Sequence, residues 1–509
     1  MSERERLSKT KYCNGLQCPK MLWMKRNKPD MAEEVMNESV LANGRKVGDL
    51  ARGYFGDYAN AEIFKEDGSQ NIAAMITKTS QLMAGETENI AEASFSVDGL
   101  YCAVDILHRN GDGWDIVEVK SSTKVSDVYI EDVSFQYYVL QKCGVNVKKA
   151  FLMHVNSGYV RQGALDIQKF FTLEEYTDVC VAKQTQVEEN INNIRDYLNV
   201  VGEPVREIGV YCEKPYLCPF YKYCRGEQPE HSILDLHSKV KARTKYALWE
   251  IGLKSFEDVY RDKTKVQGCK DTKLNVNQWQ EIESTLGLQK DVINKEKIQE
   301  FLDTLSYPVY HLDFETFQEA VPSFDGERPF QQVPFQYSLH IEYEDGRIEH
   351  KEFLAEEGTD PRRTIAESLC ENIPVGVCCT AYFMRFECER LQELAELFPD
   401  LKEHLLSIRD NMHDLFIPFG KRDYYTASMA GKASIKNVLP ALWPNDPDLD
   451  YTKLDGVHRG DEASEAFATL VGKAPDEIAK IREQLLKYCG LDTLAMVKVL
   501  QKLREAVKN

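Results

Sequence analysis

The stretch "PVYHLDFETF", Pro308 to Phe317, restricts the fold of this chain more than any other segment. It is a β-run with charge inside it. Alternate residues of a strand share a face, so His311, Asp313 and Glu315 point one way and Leu312 and Phe314 the other. Two carboxylates two residues apart on one strand face repel each other unless a cation sits between them. A sheet that holds this strand therefore needs an apolar side against a core and a charged side with something to neutralise it.

A second charged β segment lies upstream. "GLYCAVDILHRNGDGWDIVEVKSS" reads as a hairpin, "LYCAVDIL" and "WDIVEVK" being the strands and "NGDG" the turn. Glu118 and Lys120 share a face, and Asp105 on the preceding strand can meet them. Two carboxylates and a lysine are costly to bury unaided. A hard divalent cation, Mg²⁺ or Mn²⁺, offsets that cost, binds a phosphate oxygen and acidifies a water, which Lys120 can orient. A surface hairpin with a cross-strand salt bridge fits the same spacing. After "EVKSST" comes "YIEDVSFQYYVLQKCG", an amphipathic helix with Asp132 and Gln136 at i, i+4.

This D…ExK pattern followed by a Gln-bearing helix resembles the RecB-type branch of the PD-(D/E)xK nucleases. The resemblance implies metal binding by Asp105, Glu118 and the backbone carbonyl of Val119, catalysis by Lys120, and contact of Gln136 with substrate or lysine. The sequence departs from that pattern. The position four after the Gln, often Tyr, is Leu140, although Tyr137 and Tyr138 stand closer. The upstream segment "NGRKVGDLARGYFG" has no His; Asp49 is the corresponding acidic residue, with Glu92 another candidate.

Beyond "LDFETF", "FQYSLHIEYEDGRIEHKEFLA" reads as a hairpin about Asp345-Gly346. "VCCTAYFMRFECERLQELAELF" reads as a buried strand, a turn and an amphipathic helix that Glu387 begins. "LKYCGLDTLAMVKVLQKL" is a last helix with Tyr488 and Asp492 at i, i+4. The succession resembles the DnaQ-like 3′–5′ exonucleases of the ribonuclease H-like fold. It implies that Asp313, Glu315, Glu387 and Asp492 hold two metal ions and that Tyr488 orients or deprotonates the attacking water. Glu387 stands where Asp is usual, and Phe383, four residues earlier, where Asn is common. Asp414 and "SIKNVLPAL" read as structural or substrate-positioning elements.

"YCEKPYLCPFYKYC" carries Cys212, Cys218 and Cys224 at equal spacing. Three thiolates are one short of a zinc site or an iron–sulfur cubane. A subset of RecB-type nucleases, including AddB and certain CRISPR-associated nucleases, holds a [4Fe–4S] cluster with one cysteine before the nuclease core and three after it. In that likeness Cys18 of "LQCPKMLW" is the fourth ligand, rather than Cys13. Zinc is the alternative, although it commonly uses close Cys-x₂₋₄-Cys pairs, which this segment lacks. Single cysteines in apolar context, such as Cys102, Cys143, Cys378 and Cys379, read as buried thiols.

The 509 residues divide into three regions on composition: 1–229, ending after the cysteines; 230–300, charged and helical; and 301–509. In the middle region "KYALWEIGLKSFEDVYR" reads as two helices about Gly252, a helical spacer or half of a helix-hairpin-helix. A net charge of −19 argues against a protein that coats polyanions, yet residues 2–28 hold eight Lys/Arg against two Glu, a hint of local nucleic-acid contact. No apolar run approaches the roughly 18 residues of a membrane span. The charged start lacks a signal-peptide core, so a cytoplasmic protein without a membrane partner is expected.

The whole chain resembles one bacterial family with an N-terminal RecB-like, cysteine-bearing nuclease and a C-terminal DnaQ-like domain. "LQCPK", "EVKSS", "FQYYVL", "CPFYKYC", "LDFETF", "VPFQYSLH" and "YCGLDTLAMV" carry the likeness. The expectation is an α/β protein. A PD-(D/E)xK restriction-endonuclease-like core is joined by a helical linker to a ribonuclease H-like domain. The expected activity is Mg²⁺- or Mn²⁺-dependent hydrolysis of DNA rather than RNA, in repair or anti-phage defence. The other reading is a nucleic-acid-binding iron–sulfur subunit with one or both sites inactive. No P-loop is present, so unwinding would come from a helicase or defence-system partner.

Overall fold

A computed structural model describes residues 6–34, 38–444 and 446–508. The chain is mixed α/β and forms two compact units. The first unit comprises Met1–Gln228 and Glu319–Gln331; the second comprises Pro229–Gln318 and Gln332–Asn509.

The first unit is built on one sheet. Its strands are β1 (Leu7–Ser8), β2 (Ala59–Asn60), β3 (Asn89–Val97), β4 (Leu100–Asn110), β5 (Gly113–Lys120), β6 (Val147–Val155) and β7 (Phe171–Glu175). The order is β2-β3-β4-β5-β6-β7, with β1 paired to β4. The hairpin expected around "NGDG" is β4–β5, with Asn110 opposite Gly113 and Gly111 in the left-handed region at φ 60°. Gly113 has to be glycine because a Cβ there would strike the Asn146 carbonyl. Helix α1 (Lys9–Gln17) follows β1, and α2 (Pro19–Asn27) follows Cys18. Helix α3 (Glu38–Arg52) precedes β2. Helix α4 (Asp127–Lys142) connects β5 to its parallel neighbour β6 and buries Val133, Phe135, Val139 and Leu140. Helix α5 (Gln184–Leu198) adds Val187, Ile191 and Ile194 to the same core. Cys143 is exposed, contrary to the buried thiol expected, because it caps the C-terminus of α4 beyond its last buried turn.

The second unit opens with helices, among them Ala242–Glu250 and Phe256–Arg261 on either side of Gly252 at φ 84°. A small ladder pairs β8 (Val292–Ile293) with β14 (Tyr424–Tyr425). The main sheet contains β9 (Val309–Phe317), β10 (Val333–Glu342), β11 (Ile348–Leu354), β12 (Cys378–Ala381) and β13 (Met412–Asp414), in the order β11-β10-β9-β12-β13. β9 and β10 are antiparallel, as are β10 and β11 about the Asp345-Gly346 turn, whereas β12 runs parallel to β9 and β13. Leu312 and Phe314 join an apolar core with Ile365 and Leu369 of α6 (Arg362–Asn372) and Leu391 and Leu394 of α7 (Arg385–Leu397). The opposite sheet face, bearing His311, Asp313 and Glu315, lies under α10 (Pro475–Lys508). Between α7 and α10 come α8 (Ile435–Leu442) and α9 (Gly460–Ala468). Among the described residues no helix is long and apolar enough to cross a membrane.

Candidate functional sites

The strand pleat in the first unit brings Asp105, Glu118 and Lys120 together, and α4 delivers Asp132 and Gln136 from above. Lys120 Nζ lies 2.7 Å from both Glu118 Oε1 and Asp132 Oδ2. Gln136 Nε2 donates to Glu118 Oε2 at 2.7 Å and to Asp132 Oδ1 at 3.2 Å. The backbone N–H of Val119 donates to Asp105 Oδ2 at 2.7 Å. The amide oxygen of Gln136 is buried and has no hydrogen-bond partner among the described residues.

The residue that sequence reasoning missed is Lys9. Its Nζ lies 2.9 Å from Glu118 Oε2, 3.0 Å from Oε1 and 3.4 Å from Asp105 Oδ1. It stands at the first position of α1, with Ser8 as N-cap and β1 fixing the entry of the chain beside β4. Only the excess of basic residues near the start hinted at it. Burial opposes ionisation of Glu118, but Lys120 and Lys9 override it and hold this carboxyl well below its usual range. Asp105 is pushed up to about 7 by burial and by Glu118. Lys120 and Lys9 are held above the usual lysine range because the carboxylates outweigh burial.

The other candidates diverge. Asp49 is exposed and pairs with Arg52 at 3.3 Å. Glu92 also meets Arg52, at 3.2 Å, and has φ 57° within β3. The ladder sets Ala91 opposite Ile106 and Ala93 opposite Val104, so Glu92 lies across from Asp105 at the site's edge. A strained non-glycine backbone there is the kind of cost that clusters at functional sites. Leu140, Tyr137 and Tyr138 belong to the core, and the two hydroxyls reach Gln141 and Glu188 instead. The aromatic ring at the site is Tyr129, 5.1 Å from the Lys120 ammonium.

Cys18, Cys212, Cys218 and Cys224 line one pocket, with Lys20 and Arg206 in its wall. Cys13 is elsewhere, its thiol 3.9 Å from the Val128 carbonyl. Cys18 joins α1 to α2 and sits at the N-terminus of α2. Gln17 ties α1 to the cysteine loop by donating to the carbonyls of Tyr211 and Tyr216, at 2.8 and 2.7 Å. Burial pushes the Cys212 thiol up to about 11 and raises Cys218 and Cys224. These thiols resist ionisation unless a positive centre joins them.

In the second unit, Asp313 and Glu315 of β9 face Asp492 and Tyr488 of α10, and Glu387 enters from the first turn of α7. One carboxylate oxygen each from Asp313 and Glu315 and the Cys489 sulfur lie within 4.8 Å of one another. Asp313 is raised well above its usual value by burial, then by Asp492, Glu387 and Glu315. Glu315 is raised by burial and by Asp492. Glu387 is pushed up to about 8 by burial and by Asp414, and its Oε2 is buried with no partner among the described residues. Asp414 is structural: it accepts from the backbone N–H groups of Phe383 and Phe416, at 2.8 and 2.9 Å. These bonds hold Phe383 in the left-handed region at φ 74°, where Asn would be more at ease.

Sequence reasoning also missed the polar shell of this site. Tyr451 donates to Asp492 Oδ1 at 2.6 Å. Lys436 Nζ, from "SIKNVLPAL", donates to the Tyr488 hydroxyl at 2.9 Å and to the His458 carbonyl at 3.0 Å. Burial and the neighbouring carboxylates raise the Tyr488 hydroxyl far above its usual range, so it keeps its proton.

A family described as a domain of unknown function (DUF2779) matches residues 310–434, the segment with Asp313, Glu315 and Glu387. The chain is also 26% identical over 218 residues to the uncharacterized protein MG366 of Mycoplasma genitalium, an alignment covering 39% of this chain and 32% of that protein. Its homologue in Mycoplasma pneumoniae is 26% identical over 216 residues, with the same shares. The chain therefore spans about a third of the length of these curated relatives.

The Glu387 shift sets a pH dependence. Its carboxyl titrates near 8 in the folded chain and near its ordinary 4.5 when unfolded. Between those values the folded state binds the extra proton, so stability falls as pH rises. Metal-free protein should melt lower at pH 8 than at pH 5, and Glu387→Gln should remove part of that difference, Asp313 and Glu315 supplying the rest; thermal unfolding in chelator at the two pH values checks this.

Proposed function

We propose that the protein is a metal-dependent phosphodiester hydrolase with two sites acting on DNA. The first is of the PD-(D/E)xK, RecB-like kind; the second is a DnaQ-like 3′–5′ exonuclease on a ribonuclease H-like fold. The observation that carries the reading is the meeting of four carboxylates from β9, α7 and α10, half-buried Asp313 with buried Glu315, Glu387 and Asp492. Such a set is held together by protons or by cations, and raised Asp313, Glu315 and Glu387 with an orphaned Glu387 oxygen suit hard oxygen-seeking cations. Asp313, Glu315, Glu387 and Asp492 would hold them at the second site, and Asp105, Glu118 and the Val119 carbonyl at the first. Bound Mg²⁺ or Mn²⁺ supplies Lewis-acid charge to the phosphate.

The chain's own residues supply the rest. Tyr488, held by Lys436, is placed to orient the attacking water. Tyr451 holds Asp492 in place. Lys120, charged and locked between Glu118 and Asp132, stabilises charge that develops on the phosphate. The four cysteines suit a [4Fe–4S] cluster, since Lys20, Lys25 and Arg206 bring positive charge to thiolates that carry net negative charge with their iron. The cluster would fasten α1 and α2 to the end of the unit without taking part in hydrolysis. A nucleic-acid-binding subunit with a silent first site is the second reading, favoured by Lys9 filling the space between Asp105 and Glu118.

End-labelled single- and double-stranded DNA and RNA, each with Mg²⁺, Mn²⁺ or chelator, test the activity. Wild type should degrade DNA with metal, Asp105→Ala and Asp313→Ala should each retain part of that activity, and the double variant should retain none. A double variant as active as wild type overturns the assignment, and binding without cleavage under every metal favours the second reading. Purified protein should contain iron and acid-labile sulfide, and Cys18→Ser should lose both; zinc in their place would replace the cluster.

A further inference from the structure

We propose that Lys9 is a built-in cation that occupies the first site until a divalent metal displaces it, so that metal binding there is a competition with the protein's own ammonium group. The inference rests on the metal reading of that site and adds a regulatory residue to it.

The geometry is specific. Lys9 Nζ bridges Glu118 and Asp105, the two carboxylates that belong to different strands of the hairpin, with both Glu118 oxygens within 3.0 Å. Lys120 approaches from the other side, bridging Glu118 and Asp132. The two lysines therefore divide the work. Lys120 lies on β5 between the strand and α4, whereas among the described residues Lys9 spans the Asp105–Glu118 gap, the gap a cation would bridge. With all three carboxylates ionised, the two ammonium groups leave one net negative charge; without Lys9 the same cluster carries two. A divalent ion and Lys9 cannot both sit against Glu118 without strong repulsion.

Lys9 can be released without dismantling the sheet. It is the first residue of α1, and its side chain is 22% exposed, so the ammonium can swing out on its four-carbon stem while the helix stays in place. The helix itself is anchored at its other end. Gln17 is bonded to the cysteine loop, and Cys18 lines the cysteine pocket with Cys212, Cys218 and Cys224. One nine-residue helix thus runs from the four-cysteine pocket to the carboxylates.

Two measurements on the full chain, in an Asp313→Ala, Glu315→Ala background that silences the second site, test this. In the first, Mn²⁺ binding is followed by calorimetry. Lys9→Met should bind Mn²⁺ about tenfold more tightly than Lys9, a difference of about 1.4 kcal/mol. In the second, Lys9 is left intact and its reactivity toward acetic anhydride is read by peptide mass spectrometry. Lys9 should be poorly labelled in chelator and several-fold more labelled in saturating Mn²⁺, a readout that does not depend on any variant at position 9 folding. If Mn²⁺ binds but Lys9→Met gains no affinity and Lys9 labelling does not rise, the competition is overturned while the metal site stands. If Mn²⁺ binds neither protein, the metal reading of the first site fails and the competition fails with it.

Discussion

The mutual repulsion of Asp313 and Glu315 on the central strand β9 governs the second unit. Their side chains share the sheet face that α10 covers, and the sheet's other face is packed against α6 and α7. Two carboxylates in that position gain nothing from hydrophobic burial and are costly to desolvate. The surrounding structure is organised to bear the cost. Tyr451 donates to Asp492, and Lys436, held by Tyr488 and the His458 carbonyl, is the cation that lowers the charge burden on Asp313 and Glu315. Lys436 beside Asp313 and Glu315, with Arg390 beside Glu387, does not offset burial and like charge, which drive Asp313, Glu315 and Glu387 upward.

The first unit solves the same problem differently. Asp105, Glu118 and Asp132 meet two lysines, so the charge is nearly balanced and Glu118 remains ionised. The two sites therefore differ in what they ask of a cation. The second has unpaired carboxylate capacity; the first must give up an ion pair before a metal can enter. If both sites hydrolyse phosphodiesters as proposed, the second should be the more readily loaded with metal.

What was legible in the sequence was periodic. Alternation identified β4, β5 and β9 and sorted Asp313 and Glu315 from Leu312 and Phe314. A spacing of four placed Asp132 with Gln136 on α4 and Tyr488 with Asp492 on α10. Cys18, which spacing alone could not join to Cys212, Cys218 and Cys224, came from the resemblance to known cluster-bearing nucleases, and the four do line one pocket. The residues that were missed act across long separations. Lys9 reaches Glu118 over 109 positions, and Lys436 reaches Tyr488 over 52. No local pattern marks such a lysine, because its role comes from where the fold delivers its ammonium group. Tyr137 and Tyr138, next to Gln136 in sequence, are turned into the core by α4, and Tyr129, one turn before Asp132, takes the position beside Lys120.

We propose the carboxylates of the second unit as a cation site and not a set of protonated acids. Crystals of the protein soaked in Mn²⁺ and measured above the manganese absorption edge test it most directly. The account predicts anomalous difference peaks in contact with Asp313 and with carboxylate oxygens of Glu315, Glu387 or Asp492. Full occupancy of the crystal by protein with no such peak, and carboxyl groups paired to one another through shared protons, would contradict it.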